Sequence, residues 1–241
     1  MTRPPARVCV VGDELVAGVG DPRALGWVGR VAVRTRDEDG DPAVSVLALG
    51  VPGEDTAALR ERWPVETERR WDPGTGPGGN RLVVGLGHAD ALAGVSLARS
   101  RLNLADIVDA ATQSSVPCFV VGPPPPVDST LHAAVAELSH GWQDVAQRRG
   151  VPYVDCFTPL VGHEQWFADL APPEAAPASS SALGDGAGSH GGSHGATHTG
   201  AVHVGTGPTL PTVPGQVGYG LLAWLVLHGG WHRWIGLSAP E

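Results

Sequence analysis

Short apolar segments rich in valine recur along the chain, separated by stretches that contain glycine, proline and polar residues. A strand that is covered on both faces is apolar at successive positions rather than at alternate ones. Five segments have this continuous apolar character. We predict strands at residues 7–12, 43–50, 81–87, 117–122 and 152–156.

Segments with the period of an amphipathic helix lie between and after these strands. We predict helices at residues 25–36, 56–63, 97–113, 129–149 and 216–234. Regular alternation of strands and helices indicates a parallel sheet covered by helices on both faces. The predicted fold class is therefore α/β, a three-layer α/β/α sandwich with a five-stranded parallel, flavodoxin-like sheet ordered 2-1-3-4-5. In the last helix, Trp224, Trp231 and Trp234 are expected to pack against the sheet.

Residues 171–213 follow neither pattern. Proline, alanine, serine, glycine and histidine dominate this segment, and it has too little apolar content to offset the entropy lost on ordering it. We predict a low-complexity, mobile loop inside a single domain that spans residues 1–241.

This segment contains four histidines at spacings of four, four and five, namely His190, His194, His198 and His203. On a helix they would share one face and could bind a metal ion. The glycines between them argue against a helix. We therefore interpret the tract as neutral or weakly chelating, and we predict neither a metal site nor a cofactor.

Length and charge limit the classes of partner. The chain has 241 residues and a formal net charge of -9, which suits one substantial core and disfavours a phosphate backbone as partner. No apolar run is long enough to span a bilayer, and the first predicted strand begins too early to leave room for a secretory signal. We expect a soluble, cytoplasmic protein that binds a small molecule. The composition does not determine an oligomeric state.

Cysteine and lysine usage adds two expectations. Cys9, Cys118 and Cys156 are odd in number and fall in apolar segments, so we predict buried thiols rather than disulfides. The chain contains no lysine but 34 glycines and 22 prolines, a bias typical of a GC-rich genome, and we expect an actinobacterial source.

The stretch VVGDELVAGVGDPRALGWVGR, residues 10–30, resembles the opening motif of bacterial SGNH (GDSL-type) esterases and acylhydrolases. Later segments resemble later parts of that family in the same order: LGVPGEDTAAL at 49–59, VVGLGHADAL at 83–92, VVGPPPP at 120–126 and PGQVGYGLLA at 214–223. The resemblance spans nearly the whole chain except residues 171–213. It implies the SGNH hydrolase fold and an ancestry in ester hydrolysis.

The resemblance also implies a catalytic site from which this sequence departs. The family's nucleophilic serine corresponds to Glu14, its oxyanion-hole glycine to Gly53, and its oxyanion-hole asparagine to Ala89. The aspartate that follows the asparagine in the family motif corresponds to Asp90, which we expect to be a structural anchor.

The family's catalytic aspartate and histidine are also replaced. With Pro214 and Tyr219 as anchors, their positions fall on Leu210 and Val213. Loss of a triad's nucleophile or base costs on the order of a millionfold in rate, because the members act as a unit. A missing oxyanion donor costs roughly 3 to 4 kcal/mol more. The resemblance therefore implies a member without the ordinary acyl-enzyme mechanism.

Three candidate site residues remain at the predicted carboxyl edge of the sheet, where open α/β folds place ligands. Asp13 and Glu14 are adjacent, so each carboxylate raises the pKa of the other, while helix N–H groups act in the opposite direction. Glu14, Asp13 and His88 could serve in acid/base chemistry. The alternatives are that Asp13 only orients the turn and that His88 is a neutral surface histidine.

Three functional hypotheses follow. The first is a small-molecule-binding pseudoenzyme without hydrolytic activity. The second is a repurposed enzyme in which Glu14, with Asp13 or His88, performs acid/base chemistry. The third is a residual carboxylic-ester hydrolase that uses Asp185 and His190, because GDGAGSHG around them resembles the family's Asp-Gly-x-His motif with two extra residues.

Overall fold

The structure is a computed structural model that describes residues 6–74, 79–170 and 212–238. Its sheet has five parallel strands in the order β2-β1-β3-β4-β5, which confirms the predicted topology. The strands are β1 (Ala6–Gly12), β2 (Val44–Gly50), β3 (Asn80–Gly85), β4 (Cys118–Val121) and β5 (Tyr153–Val154). The continuous apolar runs therefore identified all five described strands.

Nine α-helices occur in the described residues. They are α1 (Glu14–Ala17), α2 (Gly26–Arg34), α3 (Thr56–Glu68), α4 (Ala89–Leu92), α5 (Leu97–Gln113), α6 (His132–Arg148), α7 (Glu164–Leu170), α8 (Gln216–Val226) and α9 (His232–Ile235). A 3-10 turn, Ser129–Leu131, precedes α6, and a π-helical turn, Leu227–Trp231, joins α8 to α9. The short helices α1, α4 and α7 were not predicted, because segments of four to seven residues are too short to show a helical period.

Two helix boundaries differ from the prediction for identifiable reasons. Helix α3 continues through Pro64 to Glu68, because Thr67 in its last turn is buried beside the core. The predicted helix at 216–234 is interrupted by a π-helical turn, where Gly230 adopts φ +102°. Glycine enters this region of backbone space without the steric penalty of a side chain.

The core lies on both faces of the sheet, as a three-layer sandwich requires. One face packs Trp27, Tyr219 and Trp231 under α2, α7, α8 and α9. The other packs Leu59, Leu104 and Trp142 under α3, α5 and α6. All three cysteines are buried free thiols, as predicted.

One of the three tryptophan predictions is wrong. Trp231 is buried and Trp234 is half-buried, but the side chain of Trp224 points outward and is 55% exposed. Trp224 stacks on His228 of the next turn, with ring centroids 4.1 Å apart. Because α8 is apolar on most faces, its sequence does not determine which face contacts the sheet.

Two sequence predictions lie largely outside the described residues. The segment 171–211, including the four histidines of its tract, is not described, and the extent of the single domain remains an expectation. No helix among the described residues is both long and apolar enough to cross a bilayer.

Three glycines meet side by side at the carboxyl edge of the sheet. Gly12 of β1 is in register with Gly50 of β2 and Gly85 of β3. A Cβ atom on Gly12 would lie 1.8 Å from the Gly85 carbonyl oxygen, and one on Gly50 would lie 2.4 Å from the Asp13 carbonyl oxygen. The backbones can therefore approach this closely at the sheet edge only because β1 and β2 end in glycine.

This close approach predicts a strong effect of one added methyl group. Gly12→Ala should lower the free energy of unfolding by about 3 kcal/mol or more, because the backbone of β3 must move. Gly220→Ala in α8 is the matched control: a Cβ there meets no atom within 4 Å, so the change should be neutral or stabilising by up to about 1 kcal/mol. Urea denaturation measures the free energy of unfolding of both variants. Equal stability of the two variants would contradict this account of the sheet edge.

Candidate functional site

The candidate site is the turn between β1 and α1, at the carboxyl edge of the sheet. Strand β1 ends at Gly12, Asp13 is the N-cap of α1, and Glu14 is its first residue. The Val51 N–H, just after β2, donates to the Gly12 carbonyl at 2.8 Å. The sequence prediction thus placed Asp13 and Glu14 correctly at a strand-to-helix turn.

Both carboxylate oxygens of Asp13 accept backbone hydrogen bonds. The Leu15 N–H donates to Oδ1 at 3.0 Å, which caps α1, and the Gly87 N–H donates to Oδ2 at 2.5 Å. A Cβ on Gly87 would lie 2.7 Å from the same Oδ2, so a glycine is needed there. Asp13 therefore anchors the loop after β3 to the turn after β1.

Burial raises the pKa of Asp13, because the side chain is fully removed from solvent. The charge of Glu14 raises this pKa further, while the N–H groups of Gly87 and Leu15 act in the opposite direction. Asp13 thus holds a proton more tightly than an exposed aspartate.

The side chain of Glu14 crosses to the loop after β2. Its Oε2 accepts the Gly53 N–H at 2.8 Å, and the residue is only 4% exposed. Gly53 itself is exposed, with φ +76°. The carboxylate therefore lies just beneath the surface, and it engages the backbone donor that the family resemblance assigns to the oxyanion hole.

A partly buried ion pair fixes the loop that presents Gly53. Arg62 of α3 donates from Nε and Nη2 to the two carboxylate oxygens of Glu54, at 2.7 and 2.6 Å. The same Nη2 donates to the Leu49 carbonyl at 3.0 Å. Because one guanidinium joins the end of β2 to the residue after Gly53, the direction of the Gly53 N–H is restricted.

Asp90 fixes the other end of this loop. Its two carboxylate oxygens accept the Thr56 N–H and the Thr56 hydroxyl, both at 2.8 Å. The Asn103 amide in turn donates to the Thr56 hydroxyl oxygen at 3.0 Å. This buried network supports the expected anchoring role for Asp90, since both its oxygens are engaged by protein groups.

His88 and Ala89 border the site without completing a catalytic arrangement. His88 is half-buried and precedes α4, while Ala89 begins that helix with only a methyl side chain. Burial lowers the pKa of His88, and the Glu14 charge raises it by a smaller amount. Among the described residues, no hydrogen bond to the His88 ring is found. Glu14 and His88 therefore interact through charge rather than through direct contact.

Tyr219 of α8 ties the turn to the helical layer that contains α2 and α8. Its hydroxyl donates to the Val19 carbonyl at 2.6 Å and lies 3.4 Å from the Glu14 carbonyl oxygen. Burial raises the pKa of Tyr219, and the charges of Asp13, Glu14 and Asp21 raise it further. The phenol therefore remains a neutral donor in a negative field.

A small apolar pocket opens beside the turn, beneath Leu15. It is lined by Leu15, Trp27, Gly85, Leu86, Val121, Gly122, Pro124 and Leu222. These residues come from α1, α2 and α8, from the ends of β3 and β4, and from the loops that follow these two strands. The space is about 10 Å³, room for no more than a water molecule, so it is a gap in the core packing rather than a ligand pocket.

The structure does not place the remaining candidate residues of the sequence analysis at this site. Asp185, His190 and Leu210 lie outside the described residues. Val213 is half-buried and lies beside Gly20, where a Cβ would meet its Cγ2 at 2.6 Å. Within residues 6–74, 79–170 and 212–238, no group of three or more His, Cys, Asp or Glu side chains could hold a metal ion.

Sequence reasoning missed the groups that support the site. Arg62, Thr56 and Asn103 lie in helices whose pattern indicates only amphipathic packing. Their partners Glu54 and Asp90 are 8 and 34 residues away from Arg62 and Thr56, and no local motif marks such pairs. The sequence shows that Gly53 and Glu54 are adjacent, but it does not show that Gly53 donates to Glu14 while Glu54 pairs with Arg62.

Asp13 predicts a particular dependence of stability on pH. A raised folded-state pKa means that its contribution is fully present below the unfolded pKa of about 3.9 and is lost as pH rises through the folded pKa. Asp13→Asn should therefore reduce the fall in unfolding free energy between about pH 5 and pH 8, on the order of 1.4 kcal/mol for each unit of pKa difference.

Asp21 is the control, because its pKa is shifted in the direction opposite to that of Asp13. The Arg30 guanidinium holds the pKa of Asp21 well below its usual range, so its contribution is present above about pH 4 and is lost on acidification. Asp21→Asn should therefore cost more stability at pH 7 than at pH 3. Urea titrations between about pH 3 and pH 8 measure the free energy of unfolding of both variants. A pH profile of Asp13→Asn parallel to that of the original chain would contradict the buried, proton-holding aspartate.

Comparison with known proteins identifies the family. The family model for GDSL-like lipase/acylhydrolase proteins matches residues 10–176, and a search of curated proteins gave no match. The lipase/acylhydrolase from Enterococcus faecalis superimposes with a TM-score of 0.64 at 18% identity, covering 98% of this chain and 99% of the other. AlinE4, an SGNH-hydrolase family esterase, has a TM-score of 0.56 at 21% identity over 73% and 87% of the two chains. The five-stranded α/β sandwich is thus the SGNH hydrolase fold, and the chain belongs to the GDSL-like lipase/acylhydrolase family.

Proposed function

We propose that this chain is a small-molecule-binding member of its family that does not hydrolyse esters through an acyl-enzyme. The observation that carries the proposal is the 2.8 Å hydrogen bond from the Gly53 N–H to Glu14 Oε2. By the family correspondence, Glu14 replaces the nucleophile and Gly53 is an oxyanion donor. A carboxylate of the protein itself thus takes the donor that a reacting carbonyl would need.

Three physical effects act against hydrolysis at this turn. A carboxylate at the serine position removes the attacking hydroxyl, a loss on the order of a millionfold. Ala89 offers no side-chain donor where the family has asparagine, at a cost of roughly 3 to 4 kcal/mol. The negative charge of Glu14 would also repel the oxyanion that must form beside it. The three effects act on the same transition state.

A second candidate is acid/base catalysis by Glu14 and His88 on a small molecule. It is favoured by one observation, namely that the Glu14 charge raises the pKa of the half-buried His88. Burial acts more strongly in the other direction, so the imidazole is neutral near pH 7 and able to accept a proton. Asp13 is not part of this candidate, because both its oxygens accept backbone N–H groups.

Residual ester hydrolysis is the third candidate. It requires Asp185 and His190, which lie outside the described residues, to supply a base and its orienting carboxylate. It also requires a nucleophile other than serine at the turn after β1. No described contact favours it.

For cellular context we propose a cytoplasmic protein with a small-molecule partner rather than nucleic acid.

The proposal predicts negligible turnover of p-nitrophenyl acetate and of longer acyl esters, and no labelling by serine-directed phosphonates. Glu14→Ser should not restore hydrolysis, since Val213 and Ala89 still stand where a base and an oxyanion donor are needed. Release of p-nitrophenol measures this, with the esterase AlinE4 as the positive control. Robust turnover by the original chain, or stoichiometric labelling of a serine, would contradict the proposal.

Glu14→Gln separates binding from acid/base catalysis. The glutamine carbonyl can still accept the Gly53 N–H, so the turn keeps its geometry while the titratable group is lost. A reaction that uses Glu14 as a general acid or base should slow by roughly 100-fold or more. A turnover unaffected by this change would exclude the second candidate.

A further inference from the structure

Helix α8 and the turn after it carry a mainly apolar stripe on the side away from the sheet. Its members are four, three and four residues apart and so share one face of the helix, namely Val217, Leu221, Trp224 and His228. Val217 is 47% exposed and Trp224 is 55% exposed. No Asp, Glu or Arg occurs between Val217 and His228. The stripe is therefore an uncharged surface with apolar area that a partner can cover.

Trp224 is held in its outward position. Its indole stacks on the imidazole of His228, with ring centroids 4.1 Å apart, and His228 Nδ1 forms a hydrogen bond of 2.8 Å with the Trp224 carbonyl oxygen. Because the two rings fix each other, Trp224 has little side-chain freedom left to lose when a partner covers it. Tryptophan is also among the residues that carry most of the binding energy at protein interfaces.

A recess lies one helical turn before Trp224 on the same stripe. Gly220 has no side chain, and a Cβ built on it would meet no atom within 4 Å. No described atom of the same chain therefore occupies the space above Gly220. The stripe thus combines a projecting ring with an opening four residues away.

Helix α2 lies beside α8 in the same direction. The Tyr219 hydroxyl donates to the Val19 carbonyl at 2.6 Å, close to the start of both helices. Trp231 Nε1 donates to the Thr35 hydroxyl oxygen at 2.8 Å, close to the end of both. These two hydrogen bonds hold the helices together at each end, so their outward sides form one continuous face.

The outward side of α2 is apolar as well. Leu25, at the start of the helix, is 40% exposed, and Val33, in its last turn, is 55% exposed. The charged residue between them is Arg30, which is engaged by Asp21 in an ion pair. The face formed by α2 and α8 therefore presents apolar groups from two adjacent helices.

We propose that this face binds a second copy of the chain, as a two-fold dimer in which the α8 helices lie antiparallel and Trp224 of each copy packs over Gly220 of the other. In a two-fold interface the same patch is used by both copies, so a projecting group needs a matching recess within its own patch. Trp224 and Gly220 meet this requirement, because a two-fold axis midway between them exchanges their positions. The inference does not depend on the proposed function.

A second copy fits the face better than a lipid surface does. A bilayer adapts to any apolar surface and needs no recess, whereas a rigid ring of a second copy does. The formal net charge of -9 also disfavours the anionic surface of a membrane.

The size of the face limits the strength of association. From Val217 to His228 the stripe is about 17 Å long, and two adjacent helices of about 10 Å diameter make the face about 20 Å wide. A footprint of a few hundred Å² lies at the low end of specific protein interfaces. We therefore expect a monomer–dimer equilibrium in the micromolar range rather than an obligate dimer.

The test is sedimentation equilibrium of the full chain from about 1 to 200 µM at physiological ionic strength, where salt screens the repulsion between two negative chains. The mass should rise with concentration from that of one chain towards that of two. Trp224→Ala removes the ring and Gly220→Leu fills the recess, so each should weaken dimerisation at least about tenfold. Leucine is chosen because the single methyl group of alanine would leave most of the recess open. Leu102→Ala is the matched control, since this 48% exposed leucine lies on α5 in the other helical layer.

The variant that combines Gly220→Leu with Trp224→Ala tests the pairing of the two positions. It places the new leucine of each copy over the new alanine of the other, so it should dimerise more tightly than Gly220→Leu alone. Losses that simply add in the combined variant would contradict this pairing. If Gly220→Leu fails to fold, Trp224→Ala carries the test, because it changes an exposed side chain.

A chain that remains monomeric at every concentration would overturn the proposal. Dimerisation that Trp224→Ala leaves unchanged, or that Leu102→Ala abolishes, would do the same. Phosphatidylcholine vesicles test the other occupant: a monomer that sediments with them, and no longer does so as Trp224→Ala, would assign the face to a lipid surface and overturn the proposed dimer.

Discussion

The hydrogen bond between the Gly53 N–H and the Glu14 carboxylate is the contact that gives this site its character. It joins the turn after β1 to the loop after β2, and it fixes a negative charge beneath the carboxyl edge of the sheet. The rest of the site is arranged around it. Asp13 anchors the turn from one side, while the Glu54–Arg62 pair holds the Gly53 loop from the other. A carboxylate placed this way acts as an acceptor in a position where the family resemblance implies donors.

The glycines at the sheet edge make this contact geometrically possible. Gly12, Gly50 and Gly85 end three neighbouring strands at one level, and a side chain at Gly12 or Gly50 would collide with backbone. The turn can therefore lie directly on the ends of β2 and β3. This brings Asp13 within reach of Gly87 and Glu14 within reach of Gly53, so a constraint on backbone packing determines the electrostatics of the site.

The sequence predicted the sheet well, because valine-rich runs mark buried parallel strands and their regular alternation with helices indicates a flavodoxin-like sheet. It also placed Asp13 and Glu14 at the edge where ligands bind. It did not predict that Glu14 pairs with Gly53, because a separation of 39 positions along the chain leaves no local signal. It mistook the orientation of Trp224, because α8 is apolar on most of its faces. Side-chain direction and long-range partners depend on how finished elements pack, which a pattern along the chain does not contain.

Hydrogen exchange of the Gly53 amide tests the central contact most directly. Gly53 is exposed, so its N–H should exchange rapidly unless an acceptor of the protein holds it. The account predicts that this amide is protected in the original chain, remains protected in Glu14→Gln, and loses its protection in Glu14→Ala. An amide that exchanges at the same fast rate in all three proteins would contradict the assignment of Glu14 to the Gly53 donor.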